Sequence, residues 1–309
     1  MSLTSPCIIA YTLIFKNILL AISIMFYILN TLWILNKMAG FEDFKNFEKE
    51  GWEERASTYD KWASANAKQI TPTAVNALAL SKEDIVLELA CGPGYGTKEI
   101  AKISHNVIGT DFAEAMVLEA KKQNPGLKFE QGDAENLKYS DNSFTKILCT
   151  FGILHFAHPD KAIKEVGRVL KRNGLFVFTV WAPVQESPFF GMLAETIGEL
   201  GSYEVGLPTA PPIDDFSDPD RASERLSAQG LVMTNFEAIN NIFNIGVPAN
   251  SIPQMYREVA VRSKGLLDSQ DPKSLPAIES KLIERFKEFE INGSVSMPFP
   301  YRLITAKKI

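Results

Sequence analysis

Along the middle of the chain, the pattern of apolar and polar positions changes repeatedly between one typical of strands and one typical of helices. Strands are predicted at 85–90, 106–110, 127–131, 144–151 and 175–181. Stretches with helical periodicity lie between them, and Asn173-Gly174 is expected to end the third of these helices, with Gly174 in the left-handed conformation. Strands that alternate with helices in this way predict βαβ units and a parallel sheet.

Beyond Trp181 the regular alternation stops. Frequent prolines at 182–215 predict an inserted lid. The pattern after the lid predicts helices at 217–230, 251–264 and 275–291 and strands at 231–245 and 296–307. Before the first strand, Thr71 is expected to cap a helix that begins at Pro72. The chain therefore divides into a regular core, 84–181, and a second region, 182–309, that would cover it.

The first 37 residues differ from the rest. Residues 17–35 are almost wholly apolar and long enough to cross a bilayer as a helix. The alternative is a translation start assigned too far upstream, because Met38 follows directly and opens an ordinary polar sequence. A cleaved signal peptide has less support, since no basic segment precedes the run. We expect 1–37 to be a membrane anchor or a mis-assigned start, and 38–309 to be the working domain.

Composition excludes some functions. The formal net charge is −5, from 32 Lys and Arg against 37 Asp and Glu, which argues against a nucleic-acid partner because phosphates require a basic surface. The three cysteines, Cys7, Cys91 and Cys149, are far apart and have no C-x-x-C spacing. They predict neither a disulfide framework nor a metal site, and they suit a reducing compartment such as the cytoplasm.

Glycines at 92, 94 and 96 follow the first predicted strand, and the next helix would direct its N–H groups into this turn. A dinucleotide site has the spacing G-x-G-x-x-G, whereas Thr97 stands where its third glycine would be. Glu88 lies within the first strand, and Asp111 and Asp133 end the second and third. Three carboxylates without a basic residue in the turn disfavour a diphosphate and favour a nucleoside that carries an ammonium or sulfonium group.

These residues resemble the class I S-adenosylmethionine-dependent methyltransferases of the small-molecule type, such as those of ubiquinone and menaquinone biosynthesis. The matching stretches are ELACGPG at 88–94, VIGTDF at 107–112, QGDAE at 131–135, and the segments 142–156 and 162–174. The resemblance implies a Rossmann-like three-layer α/β sandwich. Its sheet would have seven mostly parallel strands with an antiparallel last strand, and a helical lid would cover the acceptor.

The resemblance also implies roles for single residues. Glu88 would hold the turn and the methionine ammonium, and Asp111 would bind the ribose. Asp133 would read the adenine edge, and Tyr59 would close over the cofactor. The complete set expected to bind S-adenosylmethionine is Tyr59, Glu88, Ala90, Cys91, Gly92, Gly94, Asp111, Phe112, Met116, Asp133, Ala134, Thr150 and Phe151. Ala90 departs from the family pattern, since many members have glycine there. Core packing is the alternative reading of Phe112, Met116 and Tyr59.

The implied reaction is methyl transfer by in-line displacement to a small, partly hydrophobic acceptor. His155 follows the fourth strand and is the candidate general base, with packing beneath the lid as its alternative role. A cytoplasmic domain is expected, or a membrane-anchored one if the apolar segment is an anchor. Two further functions stay open: a non-catalytic module that binds S-adenosylmethionine, and an NAD-dependent enzyme.

Overall fold

The computed structural model describes residues 41–62 and 65–309. Residues 41–62 and 65–77 are helical, and we call them the N-terminal helical region. The predicted helix start at Pro72 is wrong, because residues on both sides of this proline are helical. The apolar segment 17–35 lies outside the described residues. Within the described ranges, no helix combines the length and apolar character that a membrane span requires.

The rest of the chain forms ten strands and eight α-helices within the described ranges. The strands are β1 Val86–Leu89, β2 Val107–Asp111, β3 Lys128–Gln131, β4 Phe144–Thr150, β5 Leu170–Trp181, β6 Leu231–Ile239, β7 Ile242–Asn244, β8 Glu290–Ile291, β9 Ser294–Pro298 and β10 Tyr301–Lys308. The helices are α1 Tyr95–Ala101, α2 Glu114–Gln123, α3 Pro159–Val169, α4 Pro188–Leu200, α5 Pro219–Ser227, α6 Ile252–Val259, α7 Val261–Asp268 and α8 Leu275–Lys287. A short 3₁₀ helix, Ile153–His155, follows β4.

Seven strands form one sheet in the order β3-β2-β1-β4-β5-β10-β6. The pairs from β3 to β5 are parallel, whereas β10 runs antiparallel to both of its neighbours. The predicted fold class is therefore confirmed, including the antiparallel last strand. The carboxyl ends of β1 to β5 meet at one edge, where a ligand of an open α/β sheet is expected.

Helices cover both faces of this sheet. On one face, Ile163 of α3 and Leu226 of α5 pack in a cluster with Phe178 of β5. On the other face, Ile100 of α1 packs with Val86 of β1, together with residues of the N-terminal helical region. Burying apolar side chains against both faces accounts for the continuous apolar strands seen in the sequence.

Several predicted boundaries are wrong in the second half of the chain. The predicted strand 231–245 is two strands in different sheets, β6 and β7, and the predicted strand 296–307 is β9 and β10. Pro298 and Pro300 lie where the second of these breaks, since proline cannot donate a ladder hydrogen bond. At the start of β5, Asn173 takes the left-handed conformation (φ 66°), rather than Gly174.

Candidate functional site

The turn after β1 departs from ordinary backbone geometry. Ala90, Gly92 and Gly94 all have positive φ, at 50°, 49° and 86°. A β-carbon on Gly92 would meet nothing within 4 Å, so this glycine borders open space. Ala90 has no such freedom and holds a left-handed conformation that costs an L-residue about 1–2 kcal/mol. Strain of this kind concentrates at functional sites, which agrees with the predicted position of the cofactor turn.

Glu88 is bound by the start of α1. Its Oε2 accepts the Thr97 N–H at 2.5 Å and also the Thr97 hydroxyl, and the residue is 3% exposed. Gly96 must lack a side chain here, because a β-carbon would lie 2.0 Å from Glu88 Oε1. Burial raises the pKa of Glu88 to about 7 despite these donors. Glu88 therefore contacts the helix start that follows the turn, while its contact with a methionine ammonium stays a prediction.

Asp111 ties the end of β2 to the same turn. Its Oδ2 accepts the Gly92 N–H at 2.9 Å, and its Oδ1 accepts the Ala113 N–H at 3.0 Å. The residue is 6% exposed, and burial raises its pKa to about 6. Phe112 and Met116 pack beside it against the N-terminal helical region. The structure thus brings these three predicted residues together, next to the glycine turn.

The end of β3 is more open. Asp133 Oδ2 lies 2.7 Å from Lys45 Nζ, which also lies 2.9 Å from Glu135 Oε2. Asp133 Oδ1 accepts the Glu135 N–H at 2.9 Å, and Ala134 between them is buried. An adenine amine at Asp133 would have to share this carboxylate with Lys45, a residue that the sequence reasoning missed.

The ends of β4 and β5 form an aromatic wall. Phe151 has a positive φ of 55°. Its ring stacks on that of Trp181, with 3.7 Å between the ring centroids and an interplanar angle of 14°. Tyr301 of β10 packs edge-on against Phe151 at 5.9 Å. The Thr150 hydroxyl is buried without a hydrogen-bond partner in the described part of the chain. A buried hydroxyl in this state is ready to bond a ligand.

One face of the N-terminal helical region covers this edge of the sheet. Trp52 lies 5.4 Å from Tyr59 and 4.9 Å from His155, edge-on to both rings. Burial raises the pKa of Tyr59 to about 12, and the charge of Asp111 adds to the shift. Glu48 Oε2 lies 2.8 Å from His155 Nδ1. Tyr59 and His155, both predicted, therefore lie at one site.

Sequence reasoning missed Lys45, Glu48 and Trp52 as site residues. Their spacing with Tyr59 places all four on one face of a helix, and this signal could have found them. Glu53 was also missed, and it accepts the N–H groups of Glu114 and Ala115 at 2.7 Å each. It thereby caps α2, whose own N-cap residue supplies no side-chain acceptor.

The side chains of Trp62, Cys91 and Cys149 lie in apolar clusters, and the role of the Cys91 backbone in binding the cofactor stays a prediction. Trp62, three residues after Tyr59 on the same helix, packs in an apolar cluster with residues of 189–299, and its indole N–H donates to Glu258. Cys91 and Cys149 are buried free thiols, and burial raises the pKa of Cys149 to about 12. Residues 41–62 and 65–309 contain no group of three or more side chains that could hold a metal ion.

Comparison with known proteins identifies the family. A family model described as a methyltransferase domain matches residues 87–178. The chain is 32% identical over 182 residues to the demethylmenaquinone methyltransferase of Deinococcus radiodurans, a match that covers 54% of this chain and 74% of that protein. The chain belongs to the class I S-adenosylmethionine-dependent methyltransferases. Membership of this family confirms the family, enzyme class and cofactor that the sequence predicted.

Other curated relatives are matched over a smaller share of their length. The chain spans about half the length of several curated relatives it matches. One is the uncharacterised protein MJ1252 of Methanocaldococcus jannaschii, 33% identical over 132 residues, which are 43% of this methyltransferase and 51% of that protein. Among solved structures, the YcgJ protein of Bacillus subtilis aligns with a TM-score of 0.53 and 22% identity, over 78% of this chain and 98% of that one. This likeness concerns the fold.

Proposed function

We propose that the chain transfers a methyl group from S-adenosylmethionine to a small, partly hydrophobic acceptor by in-line displacement. The observation that carries this proposal is the junction of Asp111 with the Gly92 turn, where a buried carboxylate borders open space beside the backbone. Within the family, a small-molecule acceptor is the class that this acidic chain suits. The name of the Deinococcus radiodurans relative makes a quinone-like ring one candidate acceptor.

The described residues fit this cofactor in their chemistry. Open space at Gly92 admits a ligand to the backbone, and the unpartnered Thr150 hydroxyl supplies a hydrogen-bonding group near it. We assign the ribose to Asp111, the adenine to Phe112, Met116, Asp133 and Ala134, and the methionine portion to Glu88 and the 90–94 backbone. Tyr59, Thr150 and Phe151 would enclose the sulfonium. When bound, S-adenosylmethionine supplies a methyl group that is already activated by the positive sulfur.

The aromatic wall supports an apolar acceptor. Phe151 and Trp181 present stacked rings at the ends of β4 and β5, and Phe190 and Phe299 pack against Trp181 at 5.7 and 4.8 Å. Ring edges and faces of this kind bind flat, partly apolar molecules. The protein's contribution to rate would then be alignment of the acceptor and exclusion of water, with His155 as the general base where the acceptor must lose a proton.

Calorimetric titration with S-adenosylmethionine and S-adenosylhomocysteine tests the cofactor half of this proposal. Asp111→Asn should weaken S-adenosylmethionine binding by at least about tenfold, because a charge-assisted acceptor is lost. Asp160→Asn, an exposed aspartate paired with Arg225, is the matched control and should leave the affinity unchanged. Wild-type protein that binds neither compound would overturn the proposal. If the protein binds S-adenosylmethionine but transfers no labelled methyl group from it to any acceptor in a panel, it is a non-catalytic binding module instead.

Location and partners remain proposals of the same kind. We infer a cytoplasmic catalytic domain without a nucleic-acid partner, and this is supported by the free thiols and the net charge of −5. The division into an extension at 1–37 and a working domain at 38–309 stays a prediction, since residues before 41 lie outside the described part. Mass spectrometry of the native protein would show whether residues before Met38 are present.

A further inference from the structure

Glu48 is a buried carboxylate that the proposed methyl transfer does not yet use. It is 1% exposed, and its Oε2 accepts the Trp52 indole N–H at 3.1 Å and faces His155 Nδ1 at 2.8 Å. Its Oε1 is buried without a hydrogen-bond partner in the described ranges. A buried carboxylate costs several kcal/mol unless it is well paired, so an acid kept here calls for an explanation.

Longer-range charges stabilise Glu48 without bonding to it. Arg55 and Arg262 lie within electrostatic range of Glu48. Burial lowers the pKa of both guanidinium groups, and the negative charge of Glu48 acts in the opposite direction and raises it. Within the described part of the chain, neither arginine makes a hydrogen bond to Glu48. The short-range partners of this carboxylate are therefore the indole of Trp52 and the imidazole of His155.

The imidazole of His155 is held on one side only. Trp52 packs edge-on at 4.9 Å with an interplanar angle of 82°, and Nδ1 points at Glu48. Nε2 has no hydrogen-bond partner among the described residues. A positive charge on His155 would lower the pKa of Asp111, against the rise that burial causes, so the two side chains lie within electrostatic range of each other. The free nitrogen thus belongs to a ring that borders the proposed cofactor site.

A second carboxylate–imidazole pair on the same helix has the opposite arrangement. Glu42 Oε1 lies 3.0 Å from His158 Nε2, and the side chain of Glu42 is 58% exposed. This contact uses the other ring nitrogen and an acid in solvent, where an ion pair contributes little. The buried Glu48 contact through Nδ1 is therefore a specific feature of His155.

We propose that Glu48 is a positioning residue that accepts a hydrogen bond from the Nδ1–H of neutral His155 and so leaves Nε2 as the general base. The inference rests on the proposed function, since it gives that base its tautomer. For an acceptor hydroxyl, Nε2 takes the O–H proton while the oxygen bonds to the methyl carbon. The carbon–sulfur bond breaks, and its electron pair stays on sulfur. Glu48 then stabilises the imidazolium that has formed.

Nitrogen-15 labelling of the histidines tests this assignment without knowledge of the acceptor. Two-bond proton–nitrogen correlations distinguish the Nδ1–H from the Nε2–H tautomer, and the chain has only three histidines to assign. We expect wild-type His155 to be the Nδ1–H tautomer. Glu48→Met, which keeps the length of the side chain but removes the acceptor, should convert it to a mixture. Glu42→Met is the matched control and should leave the His155 pattern unchanged.

Finding wild-type His155 in the Nε2–H form would overturn the proposal. This measurement uses the wild-type protein and so does not depend on the folding of a variant. An unchanged His155 pattern in folded Glu48→Met would also overturn it. A calorimetric titration with S-adenosylmethionine on the same wild-type sample separates the two proposals. Binding together with an Nε2–H tautomer removes the role of Glu48 alone. Absence of binding together with the Nδ1–H tautomer removes the proposed function and leaves the Glu48–His155 contact in place.

Discussion

Two parts of the candidate site hold their carboxyl groups in different ways. At the ends of β1 and β2, Glu88 and Asp111 are buried and accept backbone N–H groups from the turn and the helix starts. At the end of β3, Asp133 pairs with Lys45, and the side chains of the two are 37% and 23% exposed. The first arrangement ties carboxyl groups to the fold itself, whereas the second leaves one free to exchange partners. Stability should therefore depend on the first pair and not on the second.

The largest effect is expected from Glu88→Ala. Removing this buried acceptor leaves the Thr97 N–H and hydroxyl unsatisfied and opens a cavity, which should lower the free energy of unfolding by about 3 kcal/mol. Urea denaturation at pH 6 measures this change. Glu99→Ala on α1 is the control. Glu99 forms a salt bridge with Lys102, and the Lys102 side chain is 61% exposed, so this substitution should lower the free energy of unfolding by less than about 1 kcal/mol. Equal losses in the two variants would contradict the comparison.

A pH dependence of nearly the same size should follow from burial. The pKa of Glu88 rises from 4.5 to about 7 and that of Asp111 from 3.8 to about 6, so the folded state binds more protons than the unfolded state between these values. The stabilisation is complete below the unfolded pKa values and is lost as pH rises through the folded ones. For Glu88 alone this amounts to about 3 kcal/mol between pH 4.5 and 7.

Urea denaturation of the wild type and of Glu88→Gln across this pH range measures that dependence. The variant should lose the part of the decline that belongs to Glu88 and keep the part that belongs to Asp111. If both proteins declined with the same slope, the proton uptake would have another source.

The smallest effect is expected at the end of β3. Lys45→Ala should lower the free energy of unfolding by about 1 kcal/mol. Asp133 stays in contact with solvent, and Glu135, the buried second partner of Lys45, still accepts the His158 N–H. Lys122→Ala, whose side chain is 77% exposed, is the control and should change stability by less than about 0.5 kcal/mol. If Lys45→Ala lowered the free energy of unfolding by 3 kcal/mol or more, stability would depend on the Lys45–Asp133 pair as strongly as on Glu88, and the comparison would fail.

The cofactor half of the fold was predictable because its signals are local. Most strands of the parallel core contain an apolar run, although β3 alternates. Glu88 lies within β1, Asp111 ends β2, and Asp133 follows β3. The second half was less predictable, since β6 and β7 form one continuous strand-like stretch in the sequence but enter different sheets. Tertiary partners decide that division, and a period of two residues carries no information about them.

The candidate site was predictable only in part for a related reason. Glu48 and His155 are separated by 107 positions, so their contact has no signature in sequence spacing. Only the helical spacing that links Glu48 to Trp52 and Tyr59 is visible in the sequence. The left-handed conformation of Ala90 was hidden for another reason, because alanine ordinarily avoids it.

The position of β10 has a consequence for the order of folding during synthesis. β6 reaches the sheet only through β10, which inserts between it and β5. Roughly 60 residues separate β6 from β10 in the chain, and at ribosomal rates of about 5–20 residues per second they take several seconds to emerge. Throughout that interval β5 presents an open edge to the cell, and a chaperone that shields it would guard the growing chain against aggregation.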